Sequence, residues 1–390
     1  MNLQLLFAER FGHQPEILAR APGRVNLLGE HVDYNDGPVL PAAIDRAVHL
    51  ASAPSQQNVV HLIAYDLDDE VAFPLDALRD KSDGHGDPLP NWALYPAGVA
   101  WALREAGYEV LGVQALYTSD VPIGAGLSSS AAVEAAFAVT WQALGGWQID
   151  RMQLARLCQR AENEYVGVAC GLMDQFASLH GVSDHALYFD TRSLEWQALP
   201  LPVDNVLVIA DSGLSRELSG SVYNQRRAEC QQAVQLLQEY LPDLRSLRDV
   251  SPTEFAAYSE FLSPTIRKRA EHVVKEIYRV DSAVSALKLG EWRSFGAKML
   301  ASHASLRDLY EVSSPELDTL VDIAHDLPGC YGARLTGAGF GGCTVNLVEQ
   351  SKTREFIAGL QSGYQNRTGR QAKIYSCRAS DGARAEIIPN

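Results

Sequence analysis

The sequence predicts an α+β protein of two domains, and three observations carry that prediction. Its 390 residues match the length of two ordinary domains. Short β-like runs and helices mix in the first half without the regular strand–helix alternation of a doubly wound sheet. The second half is rich in helix before it returns to strands. With 46% hydrophobic and 21% charged residues, the composition is that of a globular chain. A chain of this size needs neither disulfides nor a metal to hold its core.

Taken in order, β-like runs fall at Val39–Leu40, Ala47–Ala51, Val59–Ala64 and Val113–Thr118. Helices are predicted over Asn91–Glu105, over Ser129–Leu144 with a stop at Gly145-Gly146, and over Arg151–Val166. The stretch Tyr223–Ala301 reads as helical, and strands return at Cys343–Leu347 and Lys373–Cys377. Loop signals cluster at Ser82–Pro88 and at Ser251-Pro-Thr. The domain boundary is expected near 190–205, around Pro200 and Pro202, giving segments 1–195 and 196–390.

The formal net charge of −15 repels nucleic acid and anionic membranes, so neither is an expected partner. No run approaches the 18 apolar residues of a membrane span. The N-terminal Met1-Asn-Leu-Gln-Leu-Leu-Phe lacks the basic start and apolar core of a signal peptide. Six scattered cysteines without a CxxC pair fit reduced thiols in a cytoplasmic protein.

Three stretches carry candidate chemistry. The first is Val121-Pro-Ile-Gly-Ala-Gly-Leu-Ser-Ser-Ser-Ala-Ala, which follows a strand and opens an alanine-rich helix. Gly124 and Gly126 admit positive φ and close backbone approach. Ser128, Ser129 and Ser130 stand at a helix N-terminus, where free N–H groups and the dipole attract phosphate. There is no Gly-Lys-Ser/Thr, so this is not a Walker A loop; a plain Ser-capped helix is the other reading.

The second is the stretch Ala21–Gly37, which gathers Arg24, Asn26, Glu30, His31, Asp33, Tyr34 and Asn35. Mixed donors and acceptors at this density suit a polyhydroxylated ligand. A metal site built on Glu30-His31-x-Asp33, or a polar turn, are the alternatives. The third is a pair of carboxylates. Glu162 lies at the edge of the apolar stripe of its helix and calls for a partner cation. Asp174 lies among Gly171, Leu172, Met173 and Phe176, where it serves either as a helix N-cap or as a hydroxyl-activating base.

Gly337-Ala-Gly-Phe-Gly-Gly342 matches the G-x-G-x-x-G dinucleotide pattern. A β-branched, alternating run follows where a helix is required, so dinucleotide binding is rejected. Its glycines instead bring backbone close to another segment or to a ligand.

Together these motifs resemble the galactokinases of the GHMP kinase family. The resemblance rests on Gly23-Arg-Val-Asn-Leu-Leu-Gly-Glu-His-Val-Asp-Tyr-Asn-Asp-Gly, on Pro122-Ile-Gly-Ala-Gly-Leu-Ser-Ser-Ser-Ala, and on Leu335-Thr-Gly-Ala-Gly-Phe-Gly-Gly-Cys. Ala161-Glu-Asn, Cys170-Gly-Leu-Met-Asp-Gln and Tyr223-Asn-Gln-Arg-Arg add to it. Leu28, Val32 and Ala338 depart from the usual Ile, Thr and Gly.

The resemblance implies an N-terminal domain like the second domain of ribosomal protein S5, with a left-handed βαβ crossover. It also implies a ferredoxin-like C-terminal domain with added helices, and a site between the two. The implied activity is ATP- and Mg2+-dependent phosphorylation of the galactose 1-hydroxyl by a monomer. Asp174 and Arg24 are then catalytic, with Glu30, His31, Asp33, Gly171, Asp174 and Tyr223 around the sugar. Gly124, Ala125, Gly126, Leu127, Ser128, Ser129 and Ser130 cradle the phosphates, Trp92 and Tyr95 flank the adenine or simply pack, and Ser130 and Glu162 hold Mg2+. A kinase acting on N-acetylgalactosamine or arabinose, and a non-catalytic galactose sensor, are the rival readings.

Overall fold

The computed structural model describes residues 2–122, 124–214 and 219–388. The chain opens with α1 (Leu3–Phe11), β1 (Ile17–Asn26), β2 (Pro38–Val39), β3 (Pro41–Pro54), β4 (Val59–Ala64) and β5 (Asp69–Pro74). It continues through α2 (Leu94–Glu105), β6 (Val113–Ser119), α3 (Ser129–Gly145), α4 (Arg151–Arg160), α5 (Met173–His180), β7 (His185–Asp190) and β8 (Trp196–Pro200). The second half holds β9 (Asn205–Asp211), α6 (Ser219–Leu237), α7 (Pro252–Tyr258), α8 (Pro264–Lys288), α9 (Trp292–Ser305), α10 (Pro315–Asp326), β10 (Cys330–Thr336), β11 (Cys343–Glu349), α11 (Thr353–Thr368), β12 (Lys373–Cys377) and β13 (Arg384–Ile387).

Three sheets result. The first runs β13-β1-β3-β6-β4-β5 and is antiparallel except where β4 meets β6. The second is β10-β11-β9-β12, and the third is β2-β7-β8. This is the expected α+β mixture. Helix α3 is apolar on nearly every side, with Ala131, Ala132, Ala135, Ala136, Phe137 and Trp141 buried, which marks a helix enclosed in the core. It packs on β1 and β3 beneath α2 and α5, so its N-terminus is fixed relative to the strand that carries the polar motif. On the other face of the first sheet, Phe7 of α1 closes over Ala51, Ala53, Ile63 and Leu116.

The predicted helix over Arg151–Val166 is helical throughout, but its last turn widens. Residues Ala161–Val166 form a π-turn, in which the Gly167 N–H reaches back five residues to the Glu162 carbonyl at 2.9 Å. Such bulges cluster at functional sites because they re-aim side chains. Ser251-Pro-Thr, read as loop, opens α7 instead. Ser251 and Glu254 form a reciprocal capping box, the S-x-x-E signal that a focus on Pro and Ser obscures. The last strand, β13, pairs with β1 from Ile17↔Ile387 to Arg20↔Arg384, so the C-terminal segment reaches back into the first sheet. Among the described residues no helix is long and apolar enough to cross a membrane.

Candidate active site

A bulge in β1 starts the site. The register of β1 against β3 shifts between Pro22 and Arg24. A Cβ on Gly23 would lie 2.6 Å from the Leu127 carbonyl, so only glycine lets the strand and the serine loop touch. There the Arg24 N–H donates to Leu127 O at 3.0 Å. The loop alternates: Ala125 and Leu127 are buried in apolar core, while Gly124, Gly126 and the three serines face a cavity of about 400 Å³. Gly124 and Gly126 take φ of 73° and 81°. Ser128 precedes α3 in left-handed conformation, and its side chain makes no cap bond to the helix. Its hydroxyl donates instead to Asp174 Oδ2 at 2.6 Å.

Asp174 is not a helix N-cap either; Leu172 occupies that position in α5. The Asp174 carboxylate accepts from Arg24 Nε at 2.8 Å and from Arg24 Nη2 at 2.7 Å, the bidentate fork that makes arginine–carboxylate pairs strong. Arg24 is only 5% exposed, and its third contact is Nη1 to Gly126 O at 2.7 Å. One guanidinium thus ties together β1, the serine loop and α5.

The rest of the cavity wall comes from the polar motif and from more distant segments. Glu30, His31, Asp33, Gly171 and Tyr223 line it together with Tyr95, Glu162, Val168, Cys170, Met173, Gly337 and Ala338. Glu30 pairs with Arg334 at 2.8 Å and accepts from the Gly337 N–H at 3.1 Å. No group of three or more His, Cys, Asp or Glu among the described residues is arranged to hold a metal, so the reading of Glu30-His31-x-Asp33 as a metal site fails. Asn26 and Asn35 turn inward, both buried, and Asn35 Nδ2 donates to the His31 carbonyl at 3.1 Å.

Asp33 sits against Gly171 so closely that a Cβ on Gly171 would lie 1.7 Å from Asp33 Oδ2. Burial first, then the Asp174 and Glu30 carboxylates, push the Asp33 pKa up to about 7. Burial and like charge penalise the ionised form, so stability falls as pH rises from the ordinary carboxylate range to about 7, above which Asp33 is ionised in the folded protein. A polyhydroxylated ligand that donates to the ionised form should therefore raise the melting temperature more at pH 8 than at pH 6. Asp33→Asn should remove the difference. Thermal-shift curves in which the wild-type increment is equal at both values would refute this reading of Asp33.

Glu162 is buried on the π-turn. Burial and then Asp174 raise its pKa to about 7, while hydrogen bonds from Cys170, Gln175 and Ser130 act the other way. Among the described residues no cationic side chain pairs with it. Gln175 Nε2 bridges Glu162 at 2.5 Å and Glu134 at 3.0 Å. Glu134 itself is fully buried and held well above the usual carboxylate range by desolvation and then by Glu162. Sequence reading missed it within the alanine-rich helix.

A second cavity of about 370 Å³ adjoins the first across Tyr95, Gly124, Ser129 and Ser130. Trp92, Tyr117, Leu67 and Val133 line it, with Asp66 at the rim. Trp92 is oriented by Nε1 donating to Asp69 Oδ2 at 2.7 Å. Trp92 thus faces the second cavity, and Tyr95 faces both. The glycine-rich segment also closes tightly: a Cβ on Gly339 would lie 2.2 Å from the Val312 carbonyl, and a strand, β11, follows it as predicted.

Comparison with known proteins agrees with this arrangement. A galactokinase galactose-binding signature matches residues 5–54, and the GHMP kinase N-terminal and C-terminal domain families match residues 95–182 and 283–366. A galactokinase of Roseiflexus sp. is 50% identical over 98% of this chain and 96% of its own length. One of Halalkalibacterium halodurans is 41% identical over 93% of this chain and 91% of its own. The crystal structure of Lactococcus lactis galactokinase complexed with galactose superposes with a TM-score of 0.92 at 36% identity, covering 98% of both chains. A mevalonate kinase, at 20% identity over 93% of this chain and 99% of its own and a TM-score of 0.64, shares the fold alone. Half-identity over nearly the full length, with the galactose-binding signature lying on the strand and motif that wall the first cavity, leaves one conclusion: the chain belongs to the galactokinase family of the GHMP kinases.

Proposed function

We propose that the chain transfers the γ-phosphoryl group of ATP to the 1-hydroxyl of D-galactose, in the cytoplasm, as a monomer. The observation that carries this reading is the Arg24–Asp174–Ser128 constellation. It stands where a polar cavity suited to a sugar meets the N-terminus of α3. Phosphoryl transfer is mostly positioning and charge stabilisation. Asp174 accepts the proton of the attacking hydroxyl, and Arg24 keeps that carboxylate in place and offsets charge on the transferring group. The N–H groups at the start of α3 and the backbone of Gly124–Ser130 cradle the phosphates, Ala125 and Leu127 anchoring that loop in the core. Trp92 and Tyr95 flank the adenine in the second cavity.

A divalent cation fits the residues present. Ser130 and Glu162 supply oxygen donors only, which suits Mg2+. The buried Glu162 carboxyl, raised to about 7 without a cationic partner, gains one when the ion binds. Mg2+ would neutralise phosphate charge there. Glu162→Gln should raise the Mg2+ requirement roughly tenfold or more and lower turnover. A Mg2+ titration superimposable on wild type would remove Glu162 from the metal's donors.

Glu30, His31, Asp33, Gly171 and Tyr223 surround the sugar, with Asp33 and Tyr223 reading the 4-hydroxyl. Glucose, whose 4-hydroxyl points the other way, would leave these groups unpaired, and such sites discriminate by as much as about 10⁴-fold. Tyr223→Phe should lower kcat/KM for galactose more than for glucose; an unchanged ratio would place Tyr223 outside the site. ADP production across galactose, glucose, N-acetylgalactosamine and arabinose tests the substrate class. Galactose should lead, and a stronger response to another sugar, or none to any, would overturn the reading.

A further inference from the structure

The His31 ring lies in the sugar cavity wall, yet both of its nitrogens are engaged by protein. Nε2 meets the Ala338 carbonyl at 3.2 Å, and Nδ1 meets the Tyr34 hydroxyl at 2.9 Å. A carbonyl only accepts, so Nε2 carries the hydrogen and Nδ1 is the acceptor. That choice propagates. Tyr34 must donate to His31, so its oxygen accepts from Tyr310, 2.7 Å away. Tyr310 has then used its hydrogen, and its oxygen accepts from the Cys230 thiol at 3.2 Å. One polarity satisfies every link from α6 through the turn after α9 to the glycine-rich loop.

The surroundings hold this chain in place. His31, Tyr310 and Cys230 are almost fully buried, and the rings of His31 and Tyr310 lie 4.8 Å apart. His272 packs on Tyr310 at 4.5 Å and bonds the Glu30 carbonyl through Nε2 at 3.2 Å. Burial and then His272 keep the His31 pKa down near 3, so the imidazole stays neutral. His31 also sits at φ 61°, an uncommon conformation for a non-glycine residue that persists where its surroundings over-determine it.

We propose that Tyr34, Tyr310 and Cys230 form a hydrogen-bond relay, given its direction by the Ala338 carbonyl, that holds His31 in its Nε2–H tautomer and, through it, clamps the Ala338 loop against the sugar cavity. Tyr34 and Tyr310 are thus positioning residues for substrate binding, a role that rests on the sugar-kinase reading above. His31 shapes the cavity through its backbone and ring face, its nitrogens being spent on the loop and the relay. Loss of the relay loosens a wall that contacts ground state and transition state alike, so KM rises while kcat holds.

The experiment combines ring ¹⁵N NMR of histidine-labelled protein with steady-state kinetics on galactose and ATP. The wild-type spectrum should show His31 as the neutral Nε2–H tautomer from about pH 6 to 8, whatever sugar the enzyme prefers. A His31 found as Nδ1–H or protonated there would overturn the relay without touching the proposed activity. Tyr310→Phe and Tyr34→Phe should each shift the His31 ring signals and raise KM for galactose roughly threefold to tenfold, the scale of one lost hydrogen bond. The double variant should be no worse than Tyr34→Phe alone. Additive effects, or altered melting with KM and ring signals unchanged, would make these tyrosines ordinary packing. Should the tyrosine variants fail to fold, Cys230→Ala should raise KM and Cys230→Ser, which keeps a donor, should restore it; equal KM in both would overturn the proposal.

Discussion

Asp174→Asn is expected to lower kcat by roughly 10²-fold or more, the scale of a lost general base, while the variant still binds ATP and galactose. The reason lies in what surrounds the carboxylate. Two guanidinium N–H groups and the Ser128 hydroxyl converge on it, and these charge-assisted bonds hold its oxygens in one orientation facing the cavity. An asparagine keeps the shape but turns an amide toward the Arg24 fork, donor against donor, and has no basic oxygen to receive a proton. Steady-state kinetics with a parallel thermal melt separate the chemistry from the packing. A folded variant with near-wild-type turnover would show that Asp174 only organises Arg24.

Gly171→Ala should be nearly as damaging, through binding rather than through proton transfer. The new methyl would meet Asp33 Oδ2 at 1.7 Å and Cγ at 2.5 Å, so either the Asp33 carboxylate or the loop before α5 must move. A displacement of about 1 Å at a substrate-positioning group is enough to cost on the order of 10²-fold. The loss should appear in kcat/KM for galactose, with KM for ATP much less affected. Gly171 is half-exposed in its loop, so the fold should survive. If KM for galactose does not change, Asp33 is not seated against the sugar.

Much of this arrangement is legible in the sequence, and the unread parts have physical causes. Short β-like runs exposed β4 and β6, and Gly145-Gly146 marked the end of α3, where Gly146 adopts φ 63°. The strand–loop–helix around Gly124–Ser130 was visible because its residue types are demanding ones. Side-chain direction was not visible: Asn26 and Asn35 look as ligand-ready as Glu30 and Asp33, yet they point into the core. Walls built from backbone, such as Gly337 and Ala338, leave no side-chain signature. The four-residue β13 is too short to show a period and is placed only by its pairing with β1. The apolar stripe placed Glu162 at a buried helix edge, but the π-turn carries the same residues as a plain helical turn, so the turn and the bonds from Gln175 and Cys170 emerged only in three dimensions. Length pointed to two domains and the order of elements to α+β, but the family's particular fold came only from motif resemblance.

The central claim is a specific bond: phosphate joined to the sugar's first oxygen. It is tested most directly by incubating the protein with ATP, Mg2+ and galactose and recording phosphorus–proton correlation spectra of the product. The account predicts a new phosphomonoester signal coupled to the anomeric proton, formed in step with ADP and lost with Asp174→Asn. Phosphate coupled to the proton of any other carbon, or ADP released with inorganic phosphate and no sugar ester, would contradict it.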